Sequence, residues 1–130
     1  MNTRLDVELD GALAEFVHAF AFLHWDRFRD CFSDEAEVFF PSADEPTRAS
    51  GRATIDRIFG GVFARARRAR EGPPYLDLEP SDLKIRRFGD TALVTFHLVD
   101  PGVLCRRTLV LRYADNRWLI VHLHASNIAA

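Results

Sequence analysis

The spacing of apolar residues changes along this chain, from a helical period in the first half to alternation in the second. Over residues 5–23 apolar side chains recur every three or four positions, which predicts an amphipathic helix of about five turns that begins near Asp6. Trp25, Phe28 and Phe32 continue this spacing and predict a second, short helix. The chain therefore opens with two helices.

A short strand and a third helix follow. Residues 36–41 are mostly apolar and end in a proline, which predicts a strand that stops there because proline cannot donate a hydrogen bond to a sheet. After a polar loop, Ser50 could cap a helix whose apolar positions cover residues 55–63. Gly60 and Gly61 interrupt that helix, so we expect either a bend or the close approach of another group there.

Strands occupy the second half of the chain. Alternation from residue 75 onward predicts them over residues 75–79, 81–88, 91–99, 103–113 and 117–127. Gly89-Asp90, Pro101-Gly102 and Asp115-Asn116 are turn signals between the last four, which predicts an antiparallel meander. Helices first and strands afterwards is an α+β order, with the helices packed on one face of a curled, mostly antiparallel sheet.

The turns also set the register of the strands, because a two-residue loop fixes which residues face each other. The predicted pairs are Ile85–Val94, Leu83–Phe96, Phe96–Arg107, Tyr113–Trp118, Leu111–Ile120, Leu109–His122 and Arg107–His124. In this register Arg107, His122 and His124 lie on the core face, where an unpaired charge would be costly. The meander thus predicts a pocket with three polar groups on an otherwise apolar wall.

The opposite face of the meander is too apolar for open solvent and too polar for a dry core. It carries, among others, Thr95, His97, Thr108, Val110, Leu119, Val121 and Leu123. A contiguous surface of this kind is typical of an interface, so we expect a homodimer formed through this sheet face.

Length, charge and cysteine usage narrow the class of protein. The 130 residues predict one domain over residues 1–130, and the net charge of −2 argues against general nucleic-acid binding. Two cysteines, Cys31 and Cys105, have the spacing of neither a disulfide framework nor a zinc site. With no export signal and no apolar run of membrane-spanning length, we expect a cytoplasmic protein that binds no membrane.

Three stretches carry a resemblance to known proteins: CFSDEAEVFFP at residues 31–41, EPTRASGRATI at 45–55 and RWLIVHLHAS at 117–126. They resemble the SnoaL-like and ketosteroid-isomerase-like proteins of the nuclear transport factor two superfamily, and the last is also similar to the closing strand of the calcium/calmodulin-dependent kinase association domain. The resemblance covers nearly the whole chain. It implies a cone-shaped α+β half-barrel, a pocket between the helices and the concave sheet face, and a homodimer. This fold hosts isomerases, cyclases, dehydratases and non-catalytic hubs, so it does not fix the function.

The resemblance also locates the positions that act in ketosteroid isomerases. Aligned on Pro41, their general base falls on Phe40, their oxyanion-binding tyrosine falls on Phe16, and their second oxyanion donor falls near Arg107. A phenylalanine ring can neither take a proton nor donate a hydrogen bond. The resemblance therefore implies that this chain is not a standard ketosteroid isomerase.

Arg107 and His124 form the polar group that best fits a ligand. A guanidinium suits a planar carboxylate or enolate-like group, and an imidazole is a general base with a pKa suited to proton transfer near neutral pH. Asp26 could add a carboxylate. The alternative is structural: Arg107, His122 and His124 would satisfy one another, the backbone, or a carboxylate such as Glu37 or Asp26.

Two functions fit this pocket. One is a cofactor-independent lyase, cyclase or isomerase of a small carboxylate-bearing molecule, with His124 and Asp26 as acid and base and Arg107 on the anionic group; the other is a non-catalytic ligand-binding or oligomerisation module. The two histidines supply two metal ligands with no clear third, so we expect neither a metal nor a cofactor. The remaining predicted wall residues are His122, Trp118, Phe40, Phe59, Phe63, Tyr75, Phe96, Trp25 and Phe16.

Overall fold

The computed structural model describes residues 3–129, and over that range it contains three helices and six strands. The helices are α1 (Arg4–Ala21), α2 (Trp25–Arg29) and α3 (Arg52–Ala69). The strands are β1 (Phe32–Phe39), β2 (Ala49–Ser50), β3 (Ser81–Phe88), β4 (Thr91–Asp100), β5 (Val103–Ala114) and β6 (Arg117–Ala129). This is the predicted α+β order.

The six strands form one curved, unclosed sheet in the order β2-β1-β6-β5-β4-β3. Neighbouring strands are antiparallel except β1 and β6, which run parallel. The inner face, which bears Val94, Leu109 and Ile120, packs against the helices and forms the core with them. We call the opposite side of the sheet the outer face. The predicted fold class is confirmed.

Helix α1 begins at Arg4 because Thr3 and Asp6 form a capping box. The Asp6 amide donates to Thr3 Oγ1 at 3.3 Å, and the Thr3 amide donates to the Asp6 carboxylate at 3.1 Å. The apolar stripe of the helix, which includes Leu9 and Phe16, is buried in the core. Both the helix and its amphipathic character agree with the prediction.

The prediction that the second helix extends to Phe32 is wrong. Helix α2 ends at Arg29, and Phe32 is the first residue of β1, where it pairs with Ile120. The Ile120 amide donates to the Cys31 carbonyl at 2.8 Å, which ties this segment to the sheet. A spacing of four residues between Phe28 and Phe32 places both on one side in a helix and in a strand alike, so the spacing alone could not separate the two.

The predicted cap and interruption of the third helix are also wrong. The N-cap is Gly51, at φ 87°, and Ser50 Oγ instead donates to the Glu37 carboxylate at 3.3 Å. Helix α3 continues without a break through Gly60 and Gly61. A Cβ at Gly60 would meet nothing within 4 Å, whereas one at Gly61 would lie 3.3 Å from Arg65 Nη1, so the expected close approach occurs only at Gly61 and comes from the end of a flexible side chain.

The strand predicted over residues 75–79 is a loop. The amides of Tyr75 and Leu76 both donate to the Ala21 carbonyl, at 2.8 and 3.3 Å, so the loop is attached to the end of α1 rather than to the sheet edge. Leu76 packs against the core from there. The loop consequently lies beside the space between α1 and the inner face.

The core is rich in aromatic rings where the helices meet the sheet. Phe28 lies at its centre, with ring centroids 4.8 Å from Phe59 and 4.9 Å from both Phe20 and Phe63. Over residues 3–129, no helix is both long enough and apolar enough to cross a membrane.

Candidate ligand-binding site

The pairing between β5 and β6 changes register once, at a β-bulge in β6. Near the turn, Tyr113 pairs with Trp118 and Leu111 pairs with Ile120, which confirms these two predictions. The next pair is Val110 with His122, so Val121 is an extra residue with no partner of its own. Every residue of β6 beyond the bulge is therefore displaced by one position relative to the predicted register.

Because of the bulge, each side chain of β6 beyond Val121 lies on the face opposite to the predicted one. Thr108 pairs with His124, and Arg107 pairs with Ala125. Leu123 and Ala125 are 5% and 6% exposed and lie on the inner face, whereas His124 is exposed. The predicted pairs Leu109–His122 and Arg107–His124 are wrong, because a shift of one residue turns each side chain to the other side of a sheet.

His122 and His124 accordingly lie on the outer face, beside Phe39 of β1. The Phe39 ring centroid is 5.7 Å from that of His122 and 5.3 Å from that of His124. Burial lowers the pKa of His122, while the Glu37 carboxylate acts in the opposite direction. Among residues 3–129, no three His, Cys, Asp or Glu side chains come together in a group that could hold a metal ion.

An apolar cavity of about 160 Å³ lies between α1, α3 and the inner face; we call it the inner cavity. Among residues 3–129, Arg107 is the only charged or polar side chain on its wall. The other lining residues are Phe16, Val17, Phe20, Phe40, Pro41, Phe59, Val62, Leu78, Phe96, Leu98, Leu109, Leu123 and Ala125. The wall thus presents one cation on a surface of rings and aliphatic groups.

One nitrogen of the Arg107 guanidinium, Nη1, donates hydrogen bonds to three oxygen atoms. Nη1 donates to the carbonyls of Arg106 and Ser126, at 3.0 and 3.3 Å, and to Asn127 Oδ1 at 3.1 Å. Within residues 3–129, no carboxylate pairs with Arg107, and its Nε and Nη2 donate to no oxygen or nitrogen, although the nearby Cys105 side chain acts to raise the Arg107 pKa. Burial lowers the pKa of Arg107, although an arginine side chain stays charged in proteins. The cavity therefore contains a fixed, partly desolvated positive charge with free donors.

A larger and more open groove of about 770 Å³ adjoins the inner cavity between α1, the loop after α3 and strands β3 to β5; we call it the outer groove. The two spaces share the lining residues Phe16, Val17, Leu78, Phe96 and Leu109. Along β3 the groove wall is formed by Leu83 and Ile85, which are 47% and 38% exposed. Asp10, His18, Asp77 and Glu79 also line the groove.

The predicted register of β3 is correct for one pair and wrong for the other. Ile85 pairs with Val94, as expected. The pairing becomes irregular between Lys84 and Ser81, so the expected pair of Leu83 with Phe96 does not form. Leu83 therefore remains exposed on the groove wall instead of packing on the core.

The predicted wall residues separate into those that line the inner cavity and those that lie elsewhere. Phe16, Phe40, Phe59 and Phe96 line it with Arg107. Trp25 and Phe63 pack edge to face in the helical core, with ring centroids 5.1 Å apart. The Tyr75 ring centroid lies 5.3 Å from Cζ of the Arg67 guanidinium. Trp118 lines a separate cavity that also includes several charged side chains, and its Nε1 donates to the Leu5 carbonyl at 3.0 Å.

The carboxylates proposed for the pocket lie outside it. Asp26 is exposed on α2 and lines neither the inner cavity nor the outer groove. Glu37 is on the outer face, where its carboxylate is 3.6 Å from the Arg48 guanidinium. With His122 and His124 on the outer face as well, no acid–base group of the described part of the chain lies on the wall of the inner cavity.

Several lining residues were not predicted from the sequence. Leu123 and Ala125 reach the inner cavity through the bulge, and Leu78 reaches it through the loop that follows α3. Leu123 and Ala125 could not be predicted as lining residues because nothing in the sequence indicates the bulge. Around Val121, β6 is apolar on both faces, so the hydrophobic pattern fits either register. A proline on each side of the loop, at Pro74 and Pro80, was the available signal that residues 75–79 leave the sheet.

A family model for the SnoaL-like domain matches residues 10–130 of this chain. The chain therefore belongs to the SnoaL-like domain family. No functionally curated protein matches it in sequence.

Solved structures with a nuclear transport factor two-like fold are similar to this chain over nearly its whole length. One is a protein of unknown function from Pseudomonas putida KT2440, with a TM-score of 0.78, 16% identity, and coverage of 97% of this chain and 88% of that chain. Another is a proposed dehydratase from Streptomyces avermitilis, with a TM-score of 0.76, 21% identity, and coverage of 95% and 96%. A proposed ketosteroid isomerase from Parabacteroides distasonis gives a TM-score of 0.69, 19% identity, and coverage of 98% and 93%. At these identities the likeness concerns the fold, which is the one predicted from the sequence.

Proposed function

We propose that this protein binds a small organic anion in the inner cavity and that Arg107 holds the anionic group. The observation that carries the proposal is the unpaired guanidinium on an apolar wall: within residues 3–129, Arg107 has no carboxylate partner. A desolvated charge in an apolar setting is costly unless a counter-charge joins it. An anionic ligand would supply that counter-charge.

The geometry of the guanidinium also favours a carboxylate. The bonds from Nη1 to two carbonyls and to Asn127 Oδ1 orient the group without neutralising it. Nε and Nη2 donate to no oxygen or nitrogen of residues 3–129, and they form the edge of the guanidinium that can donate two parallel hydrogen bonds to a carboxylate. The structural alternative has support in the two backbone carbonyls that accept from Nη1. The histidines that it also invoked lie on the other face, and a carbonyl supplies no counter-charge for the guanidinium.

Binding is better supported than acid–base catalysis. Phe16, Phe40 and Arg107, at the three positions aligned with the acting residues of ketosteroid isomerases, all line the inner cavity. Two of these side chains cannot transfer a proton, and the third stays protonated. The lyase, cyclase or isomerase role proposed for His124 would require its imidazole to reach the cavity from the opposite face, and no contact of His124 favours that.

The test is a thermal melt with benzoate, with benzyl alcohol as the uncharged probe. At a benzoate concentration ten times its Kd, linkage raises the free energy of unfolding by about 1.4 kcal/mol, enough for a rise in Tm of a few degrees. We expect this rise in the wild type and in Arg106→Met, whose residue is exposed on the outer face, but not in Arg107→Met. Absence of a benzoate-dependent shift in the wild type would contradict the proposal.

We also propose that the protein is a homodimer through the outer face. This face combines partly buried apolar residues, such as Val110 and Leu119, with charges of both signs, such as Glu37 and Arg106. A second copy could therefore match it in both respects. Light scattering at micromolar concentration should give twice the chain mass. A clean monomer would contradict this, and a larger ring would favour an oligomerisation module.

A further inference from the structure

The inner cavity is matched in size and lining to one aromatic ring. Its volume is about 160 Å³, and an apolar protein cavity of about 150 Å³ is known to bind benzene. The wall includes the rings of Phe16, Phe20, Phe40, Phe59 and Phe96. Aromatic pairs gain additional stabilisation from offset or edge-to-face packing. A six-membered aromatic ring therefore suits this space better than a long flexible chain.

The outer groove continues from this cavity along an apolar wall. Phe16, Leu78 and Phe96 belong to both spaces, so a ligand that fills the first can extend into the second without leaving apolar surface. Leu83 and Ile85 remain substantially exposed along the groove, although they lie on the inner face of the sheet. An apolar tail would cover these two side chains.

The inner cavity and the outer groove carry charges of opposite sign, which favours one orientation of an anionic ligand. Arg107 lines only the inner cavity, whereas Asp10, Asp77 and Glu79 line only the outer groove. Arg70 pairs with Asp77 at 3.1 Å, which leaves the other two carboxylates without a cation among residues 3–129. A second anionic group at the far end of a ligand would therefore meet negative charge.

We infer that the ligand class is an aromatic monocarboxylate with an apolar tail. Its carboxylate lies on Arg107, its ring fills the inner cavity, and its tail extends over Leu83 and Ile85 in the outer groove. This inference rests on the proposed binding of an organic anion at Arg107 and adds the ring, the tail and the orientation.

The experiment is isothermal titration calorimetry with benzoate, 4-butylbenzoate, 4-hexylbenzoate and 4-(5-carboxypentyl)benzoate. We expect affinity to rise with tail length, by up to about fourfold for each buried methylene. The dicarboxylate should bind more weakly than 4-hexylbenzoate, because its second carboxylate replaces an apolar methyl in a groove whose lining also includes Asp10 and Glu79.

Two variants locate the tail. The double variant Leu83→Gln/Ile85→Gln changes the groove wall at exposed positions that are not core, so the chain should still fold. The matched control is Phe88→Gln, on the same strand and 57% exposed, but absent from the lining of both spaces. We expect the gain with tail length to persist in Phe88→Gln and to fall sharply in the double variant, while the affinity for benzoate stays equal in all three proteins.

The outcomes separate this inference from the proposed function. If benzoate binds but the tail adds nothing, or if the tail gain is unchanged in Leu83→Gln/Ile85→Gln, the inference is wrong and the proposed function stands. If no carboxylate of the series binds the wild type, the proposed function fails, and the inference fails with it.

Discussion

Arg107 and His124 lie on opposite faces of one sheet, although they belong to neighbouring strands and Arg107 pairs with the residue next to His124. The extra residue Val121 produces this separation, because a β-bulge shifts the alternation of the strand that carries it. The inner face consequently presents a cation to an apolar cavity, and the outer face presents two imidazoles to Phe39. Ligand binding and histidine titration should therefore respond to different substitutions.

Substitution of adjacent residues beyond the bulge tests this arrangement. Leu123 is 5% exposed, so Leu123→Ala should lower the free energy of unfolding by about 2–5 kcal/mol. His124 is exposed, and His124→Ala should change it by no more than about 0.5 kcal/mol. Urea denaturation of the two variants measures both values. If His124→Ala were the more destabilising of the two, the strand would alternate in the opposite sense and the bulge would be wrongly placed.

The order of elements could be predicted from the sequence because it depends on local features. The amphipathic period of residues 5–23 and the turn at Asp115-Asn116 each act over a few residues, and both α1 and the Tyr113–Trp118 pair follow from them. The prediction was wrong at Phe32, where the spacing of apolar residues suits a helix and a strand equally. It was also wrong at residues 75–79, where hydrogen bonds to the distant end of α1 hold the segment as a loop.

The candidate site was predicted only in part, because a single inserted residue changes which side chains face it. Phe16, Phe40, Phe96 and Arg107 precede the bulge or lie on other elements, and they line the cavity. His124 follows the bulge and does not. Around Val121 both faces of β6 are apolar, so the hydrophobic pattern would have suited either register.

The ion pair between Asp6 and Arg87 should anchor α1 to β3. Arg87 Nε donates to the Asp6 carboxylate at 2.5 Å, and this bond, together with the one from the Thr3 amide, lowers the pKa of Asp6 to about 2. A carboxyl whose pKa is lower in the folded state stabilises the fold fully above its ordinary value of 3.8, and that stabilisation is lost as pH falls through about 2. Asp6→Asn should therefore destabilise the protein at pH 7, with a difference from the wild type that shrinks below pH 4.

The control for this prediction is Asp10→Asn, on the same helix and exposed. It should have little effect on the free energy of unfolding at pH 7, because an isolated surface carboxylate contributes little. Equal effects of the two variants at pH 7 would show that the contact with Arg87 does not stabilise the fold.

Because of His122, the free energy of unfolding should depend on pH below pH 7. Burial lowers its pKa below the ordinary 6.5, against the opposing Glu37 carboxylate and with support from the nearby charges of His124 and Arg48. Between the folded-state pKa and 6.5 the unfolded chain binds more protons, so stability should rise with pH across that window. His122→Gln should flatten this rise, as measured by urea denaturation from pH 5 to 8.

Cys31 should react slowly with alkylating reagents in the folded protein. Burial raises its pKa from 9.0 to about 12, with Glu15 adding to the effect. Because the thiolate is the reactive form, three pKa units correspond to a thiolate population about 10³-fold smaller at pH 8. The measurement is iodoacetamide labelling followed by mass spectrometry in a Cys105→Ser background, so that Cys31 is the only thiol. Labelling in urea should proceed at the rate of a free cysteine. Equally fast labelling of the folded chain would mean that α2 and the start of β1 open often enough to expose the thiol, since its Sγ otherwise donates to the Arg27 carbonyl at 3.3 Å.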